Sequence, residues 1–233
     1  MNINSSYTSE TGPIMSSLNK TNESLSSGIK INSSADNAAG SAIVSSLNTK
    51  INTQDMGIKN ANMGGNLLQT ADGAASQINE QLQRLSELSI QSLNGTYNSS
   101  QRSAMNAEFQ QGLKNIDSFA ESSSFNGMIL LNGETTSVDI AMGSENSASL
   151  TLPNLTVDGL GLTGADISNP NNAMAFQNQL QDALGVVSES QSQFGAQQNG
   201  LLASASNLAN QNVNAQSSRS QINDTDYASA VSD

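Results

Sequence analysis

Proline occurs at only three positions, 13, 153 and 170, so residues 14–152 and 171–233 are free of it. A prolyl ring removes an amide donor and clashes with the preceding helical turn, so runs of this length permit long unbroken helices. The apolar spacing uses that permission. Ile43, Leu47, Ile51, Ile58, Leu67, Leu68, Ala71, Ala74, Ile78, Leu82, Leu85 and Leu88 advance mostly by three or four residues, which predicts one face of a long helix. The stretch "NGTYNSS" (94–100) stops it with an Asn-Gly turn signal. A second helix is predicted from about Gln101, with Met105, Phe109, Leu113, Ile116 and Phe119 inward.

The C-terminal third repeats more strictly. Leu180, Leu184, Val187, Gln191, Phe194, Gln198, Leu201, Ala205, Leu208 and Asn212 step by four and three in alternation, a heptad seam that implies gentle left-handed supercoiling. Leu180, Val187, Phe194, Leu201 and Leu208 share one heptad position, while the other mixes Leu184 and Ala205 with Gln191, Gln198 and Asn212. Such amides either fix register by seeking a buried partner or mark a solvated edge.

Between the helical halves the period changes to two. Val138, Ile140 and Met142 alternate in "SVDIAMG", as do Leu150 and Leu152 in "ASLTLP", so two strands around "GSENS" read as an antiparallel hairpin. The Gly- and Asn-rich "NLTVDGLGLTGADISNPNN" (154–172) reads as a connector, and hairpin and connector together as one exposed insertion.

Composition narrows the chemistry. Aromatics make up 3% of the chain and tryptophan is absent, which favours a thin helical body over a thick globular core. The formal net charge of −12, with scattered Lys and Arg, argues against nucleic acid or an anionic membrane as partner. With no cysteine and no histidine, disulfides, thiolate or imidazole metal sites and His-dependent triads are excluded. No apolar run reaches membrane-spanning length, and "MNINSSYTSE" lacks the blocks of a cleaved secretion signal. The chain is therefore expected to be cytoplasmic or exported by a route that needs no such signal.

Carboxylate pairs can act without histidine. Glu80 and Glu87 share a helix face but read as solvated surface, and "DTDY" (224–227) supplies too few ligands for a calcium loop. "DGLGLTG" (158–164) has the glycines of a phosphate loop without a following Lys, so it reads as turns. The Asn-x-Ser/Thr triplets, such as those at Asn94 and Asn154, are expected from composition. The stretch "LSSGIKINSSADNAAGSAI" (25–43) interrupts an apolar pattern with Gly28, Gly40 and a polar cluster. With no catalytic partner elsewhere it reads as a joint, where the glycines permit turning or close approach and Asp36 and Asn37 can cap the following helix.

That stretch resembles the N-terminal signature of bacterial flagellins. "LQRLSELSIQSLNGTYNSSQRSAMNAEFQQGLKNID" and "FNGMILLNG" are similar to the rest of the family's inner domain, and "SRSQINDTDYASAVS" (218–232) to its C-terminal signature. The resemblance covers nearly all of the chain outside the hairpin and connector. It implies a mainly α fold, an elongated bundle of long antiparallel helices with coiled-coil packing plus a small β-hairpin region. In that plan residues 1–30 form an N-terminal core segment, 31–134 and 171–223 the outer-tube helices, 135–170 a short replacement for the variable surface region, and 224–233 the start of a C-terminal core segment. Flagellins usually continue past "DYASAVS" with a helix of about forty residues, so a truncated form is expected. Pro13, inside the core segment, is expected to start or break a helix.

The resemblance implies a non-enzymatic filament subunit, without cofactor or metal, exported by the flagellar type III apparatus and polymerised at the distal tip for motility. The implied partners are other subunits, an export chaperone and the cap protein, and the implied location is the secreted filament. The motif matched in family members that bind Toll-like receptor 5 falls on Gln83, Arg84, Glu87, Leu88 and Glu108. Arg84 and Leu88, four apart, are expected on one helix face, and the same surface is expected to pack against a neighbouring subunit. A second Arg common in that motif is Ser86 here. A hook–filament junction protein shares the terminal plan, but "LSSGIKINSSADNAAG" and "FNGMILLNG" favour flagellin. A flagellin with an inserted metalloprotease is incompatible with the lack of histidine.

Overall fold

The computed structural model describes residues 4–143 and 147–228, with side chains in the first helix described from Ile14. In chain order it contains α1 (Asn4–Ser27), α2 (Ala38–Leu93), α3 (Ser99–Ser122), β1 (Ser124–Phe125), β2 (Met128–Ile129), β3 (Ser137–Ala141), β4 (Ser147–Thr151) and α4 (Pro170–Asn223). The fold is mainly α, with small antiparallel hairpins between long helices. Helix α1 runs through Pro13, contrary to the expected break; the ring forgoes one i→i−4 hydrogen bond but the flanking turns continue. The tip of the longer hairpin, Ser144–Asn146, and the end of the C-terminal signature, 229–233, lie outside the described residues.

The chain divides into two compact units, one of residues 1–56 and 207–233, the other of 57–206. Helices α2 and α4 contribute to both, because the division falls within them.

In the larger unit, α2 presents an inward row that includes Ala61, Leu68, Ala71, Ala75, Ile78, Leu82 and Leu85. Steps of three and four residues keep this row on one side of the helix. Helix α4 runs antiparallel to it: Ser86 meets Gln177 through a 2.9 Å amide-to-hydroxyl bond, whereas Gly64 lies against Leu201. Helix α3 adds Phe109, Leu113, Ile116 and Ala120, and begins with a reciprocal capping box between Asn98 and Gln101. The hairpin β1–β2 turns at Asn126 (φ 52°) and Gly127 (φ 82°), the positive-φ pair that a two-residue turn between strands demands. Strands β3 and β4 pair Val138 with Leu150 and Ile140 with Ala148.

Segment 154–167 is not an exposed insertion. Leu155, Leu160, Leu162, Ala165 and Ile167 are all buried, and its backbone is tied to the helices. Asp117 accepts from the Val157 amide at 2.8 Å, Asn106 from the Ile167 amide at 3.0 Å, and Ser92 donates to the Ile167 carbonyl at 2.5 Å. These bonds satisfy polar groups that burial would otherwise penalise. Glycine and asparagine content signalled turns, and turns are present, but the leucines between them belong to the core.

The α4 seam is shifted in part. Leu180, Val187, Phe194 and Leu201 are buried and Leu208 is half-buried. The companion row is Ala183 and Ser190, with Leu184 and Gln191 only half-buried. Further along, Ala205 and Asn212 are buried as the heptad pattern anticipates. The inward row takes two consecutive four-residue steps, 197 to 201 to 205, and so absorbs the drift of a 3.6-residue helix against a 3.5-residue repeat.

In the smaller unit, α2 and α4 meet through a polar seam around Ile51. Asn212 donates to the Ile51 carbonyl at 3.0 Å and to Asp55 at 2.9 Å, Gln54 donates to Gln211 at 3.2 Å, and Arg219 to Asn48 at 3.0 Å. Of the two meanings left open for the seam amides, the buried and bonded Asn212 fits register-fixing.

Candidate interaction surface

The charged cluster on α2 and α3 exists because the two helices approach closely within the larger unit. Gly112 of α3 faces Leu85 of α2, and a Cβ at Gly112 would stand 2.6 Å from Leu85 Cδ2. That approach brings Glu108, one turn earlier on α3, to Arg84. Arg84 donates from Nε at 3.3 Å and from Nη2 at 2.8 Å to the same Glu108 oxygen, and from Nη1 to Glu87 at 3.2 Å. All three side chains are half or more exposed. Hydrogen bonds to Glu108 and then Glu87 raise the guanidinium above its ordinary pKa, so Arg84 stays protonated. Gln83 flanks it and donates to Asn79 at 2.6 Å.

Leu88 does not join this surface. It is 2% exposed and packs in the core, which corrects the expectation that it shares an accessible face with Arg84. Four residues of an α-helix rotate by about 40° beyond a full turn, enough to carry position 88 across the boundary between surface and core. Ser86 is half-buried, and its hydroxyl receives Gln177.

The joint lies in the smaller unit. Asn37 caps α2 by accepting from the Gly40 amide at 2.9 Å. Asp36 does not cap the helix; it accepts from the Ser33 amide at 2.9 Å and pairs with Lys20 of α1 at 3.1 Å. Lys20 and then the Ser33 amide hold the Asp36 carboxyl below its usual pKa. Gly40 is buried where a Cβ would fall 2.6 Å from Ile31 Cδ1, and Gly28 takes a φ of 71° that favours glycine.

What holds this joint comes from the far end of the chain. Residues of "DTDY" return to it: Ile29 bridges Asp224, the Thr225 amide donates to the Gly28 carbonyl at 3.0 Å, and the Lys30 amide donates to the Asn223 carbonyl at 2.6 Å. The Tyr227 hydroxyl donates to the Leu25 carbonyl at 3.1 Å, satisfying one of the orphan acceptors at the end of α1. A tyrosine amid small polar residues was the available signal, but contacts across the whole length of a chain leave no periodic trace.

Chemically, these surfaces offer ion pairs, amides and hydroxyls for binding. Among the described residues no group of three or more His, Cys, Asp or Glu is placed to hold a metal, and no helix is long and apolar enough to cross a membrane.

Comparisons with known proteins agree with this arrangement. Residues 2–136 match the model of the bacterial flagellin N-terminal helical region, and residues 177–233 that of the C-terminal helical region. A flagellin of Halalkalibacterium halodurans is 35% identical over 213 residues, covering 90% of this chain and 78% of that protein. A flagellin of Listeria monocytogenes is 30% identical over 229 residues, covering 91% and 80%. The crystal structure of Bacillus cereus flagellin superposes with a TM-score of 0.58 at 25% identity, over 64% of this chain and 88% of that one. A putative flagellar hook-associated protein of Vibrio parahaemolyticus superposes at a TM-score of 0.70 with 13% identity, over 81% and 100%, a likeness of fold alone.

Proposed function

Because the chain belongs to the bacterial flagellin family, we infer not only its place but its working cycle. It is a structural subunit of the flagellar filament, an extracellular appendage built by polymerising such subunits. In our reading it leaves the cell unfolded through the flagellar type III apparatus, escorted by an export chaperone, and is added beneath the cap protein at the distal tip. The observation that carries this reading is the matching of both terminal helical regions by one family. Exposed Ile14, Met15 and Leu18 on α1 add support, since such an apolar row asks for cover in an assembly. Complementation tests it: a flagellin-deleted bacterium supplied with the gene should regain filaments and swimming. Cells that retain the protein in the cytoplasm and stay bald would refute the cycle.

The charged cluster fits recognition by Toll-like receptor 5, with Arg84 as its centre, Gln83, Glu87 and Glu108 around it, and Leu88 supporting it from within. A guanidinium held in place by two carboxylates keeps donors for an incoming acceptor while losing little conformational freedom on binding. In a receptor-reporter assay, Arg84→Ala and Glu108→Ala should each lower the signal at least about tenfold, the scale of an interface hot spot. A silent parent protein, or variants equal to it, would remove this proposal.

A further inference from the structure

We propose that the turn between α2 and α3 is a self-modification site, at which Asn94 closes onto the amide nitrogen of Gly95 and is converted to isoaspartate and aspartate. Four Asn-Gly pairs occur in the chain, at 94–95, 126–127, 132–133 and 199–200. Glycine admits the approach because it has no side chain to block the Asn carbonyl carbon, so all four are chemically eligible. The fold separates them.

Asn199 and Gly200 lie inside α4, where the helical ladder engages the amide and fixes the backbone. Asn132 is bridged to Asn154, and Gly133 (φ 83°) is pressed against the Asn154 side chain, 2.8 Å from where a Cβ would stand. Asn126 and Gly127 form the two-residue turn locked between β1 and β2. Asn94 and Gly95 are exposed, and nothing lies within 4 Å of the position of a Gly95 Cβ, so water has free access.

Hydrogen bonds at Asn94 also polarise both reacting groups. The carbonyl oxygen of Asn94, which belongs to the same peptide unit as the Gly95 nitrogen, accepts from Arg102 Nη2 at 3.1 Å and from the Tyr97 amide at 3.3 Å. Charge on that oxygen is stabilised by the guanidinium, so the Gly95 N–H is made more acidic. The side-chain oxygen Oδ1 accepts from the Thr96 amide and the Thr96 hydroxyl, both at 3.0 Å. Those two donors draw electrons from Cγ and stand where an oxyanion would develop.

The step balances without an oxidant. The Gly95 nitrogen gives its proton to solvent base and bonds to Asn94 Cγ; the side-chain nitrogen takes a proton from water, the oxyanion on Oδ1 collapses, and the bond from Cγ to that nitrogen breaks, releasing ammonia. The resulting five-membered imide adds one water at either carbonyl and opens to isoaspartate or aspartate. The product carries one more negative charge than the chain's formal −12, beside Arg102, and the isoaspartate form reroutes the backbone through the former side chain.

The test is incubation of the folded protein at neutral and mildly alkaline pH, followed by peptide mass mapping and enzymatic isoaspartate assay. Residue 94 should convert ahead of 126, 132 and 199, faster than in a synthetic peptide of residues 89–100, and faster at the higher pH. Thr96→Val and Arg102→Gln should each slow it by about fivefold, the rate equivalent of one hydrogen bond, while Thr96→Ser restores the rate and the Asn126 rate is unchanged. Conversion led by residue 126, a folded rate below that of the peptide, or variants that react as fast as the parent would overturn the proposal. Thr96 is exposed, so its variants keep the test independent of folding.

Discussion

At the scale of single residues, neighbours in sequence take different tasks. Asp36 and Asn37 were equally eligible as helix caps, yet Asn37 holds the Gly40 amide while Asp36 turns to Ser33 and Lys20. Asn37→Ala should cost about 1 kcal/mol and speed hydrogen exchange in the first turn of α2. Asn37→Asp keeps the acceptor and places negative charge at a helix N-terminus, so it should match the parent; equal losses in both variants would contradict the cap. Residue type identified the capping pair, but the choice between its members depended on where α1 places Lys20. Arg84 and Leu88 teach the same lesson. Their spacing made them neighbours on a helix, yet Leu88 is buried in the core while the Arg84 side chain is half exposed.

At the scale of elements, proline absence and apolar period located the long helices well, and alternation located β3 and β4. Small residues hid part of the result. Ala61, Gly64 and Ala75 complete the inward row of α2, but their type does not distinguish a tight interface from a surface. On α4 the strict heptad placed Leu184 inward, while the structure buries Ala183 and leaves Leu184 half-buried. Leu180→Ala should therefore cost about 2–5 kcal/mol, the range for a buried leucine, and Leu184→Ala less than half as much in urea unfolding. Equal costs would restore the unshifted seam. The leucines of 154–167 were visible as residues but not as core, because an irregular backbone has no period to reveal which side is buried.

At the scale of the whole molecule, sequence motifs carried more than periodicity could. Both terminal regions are matched by one family, and the return of Asp224–Tyr227 to Leu25–Lys30 gives a local reason for the two ends to act together. The acidic chain, free of cysteine and histidine, offers surfaces for assembly through amides, ion pairs and exposed apolar residues. Electron microscopy of polymerisation in vitro reads that capacity, with the purified flagellin seeded by filament fragments. Long, regular filaments are expected; monomers that persist under conditions in which a reference flagellin polymerises would contradict assembly by this chain.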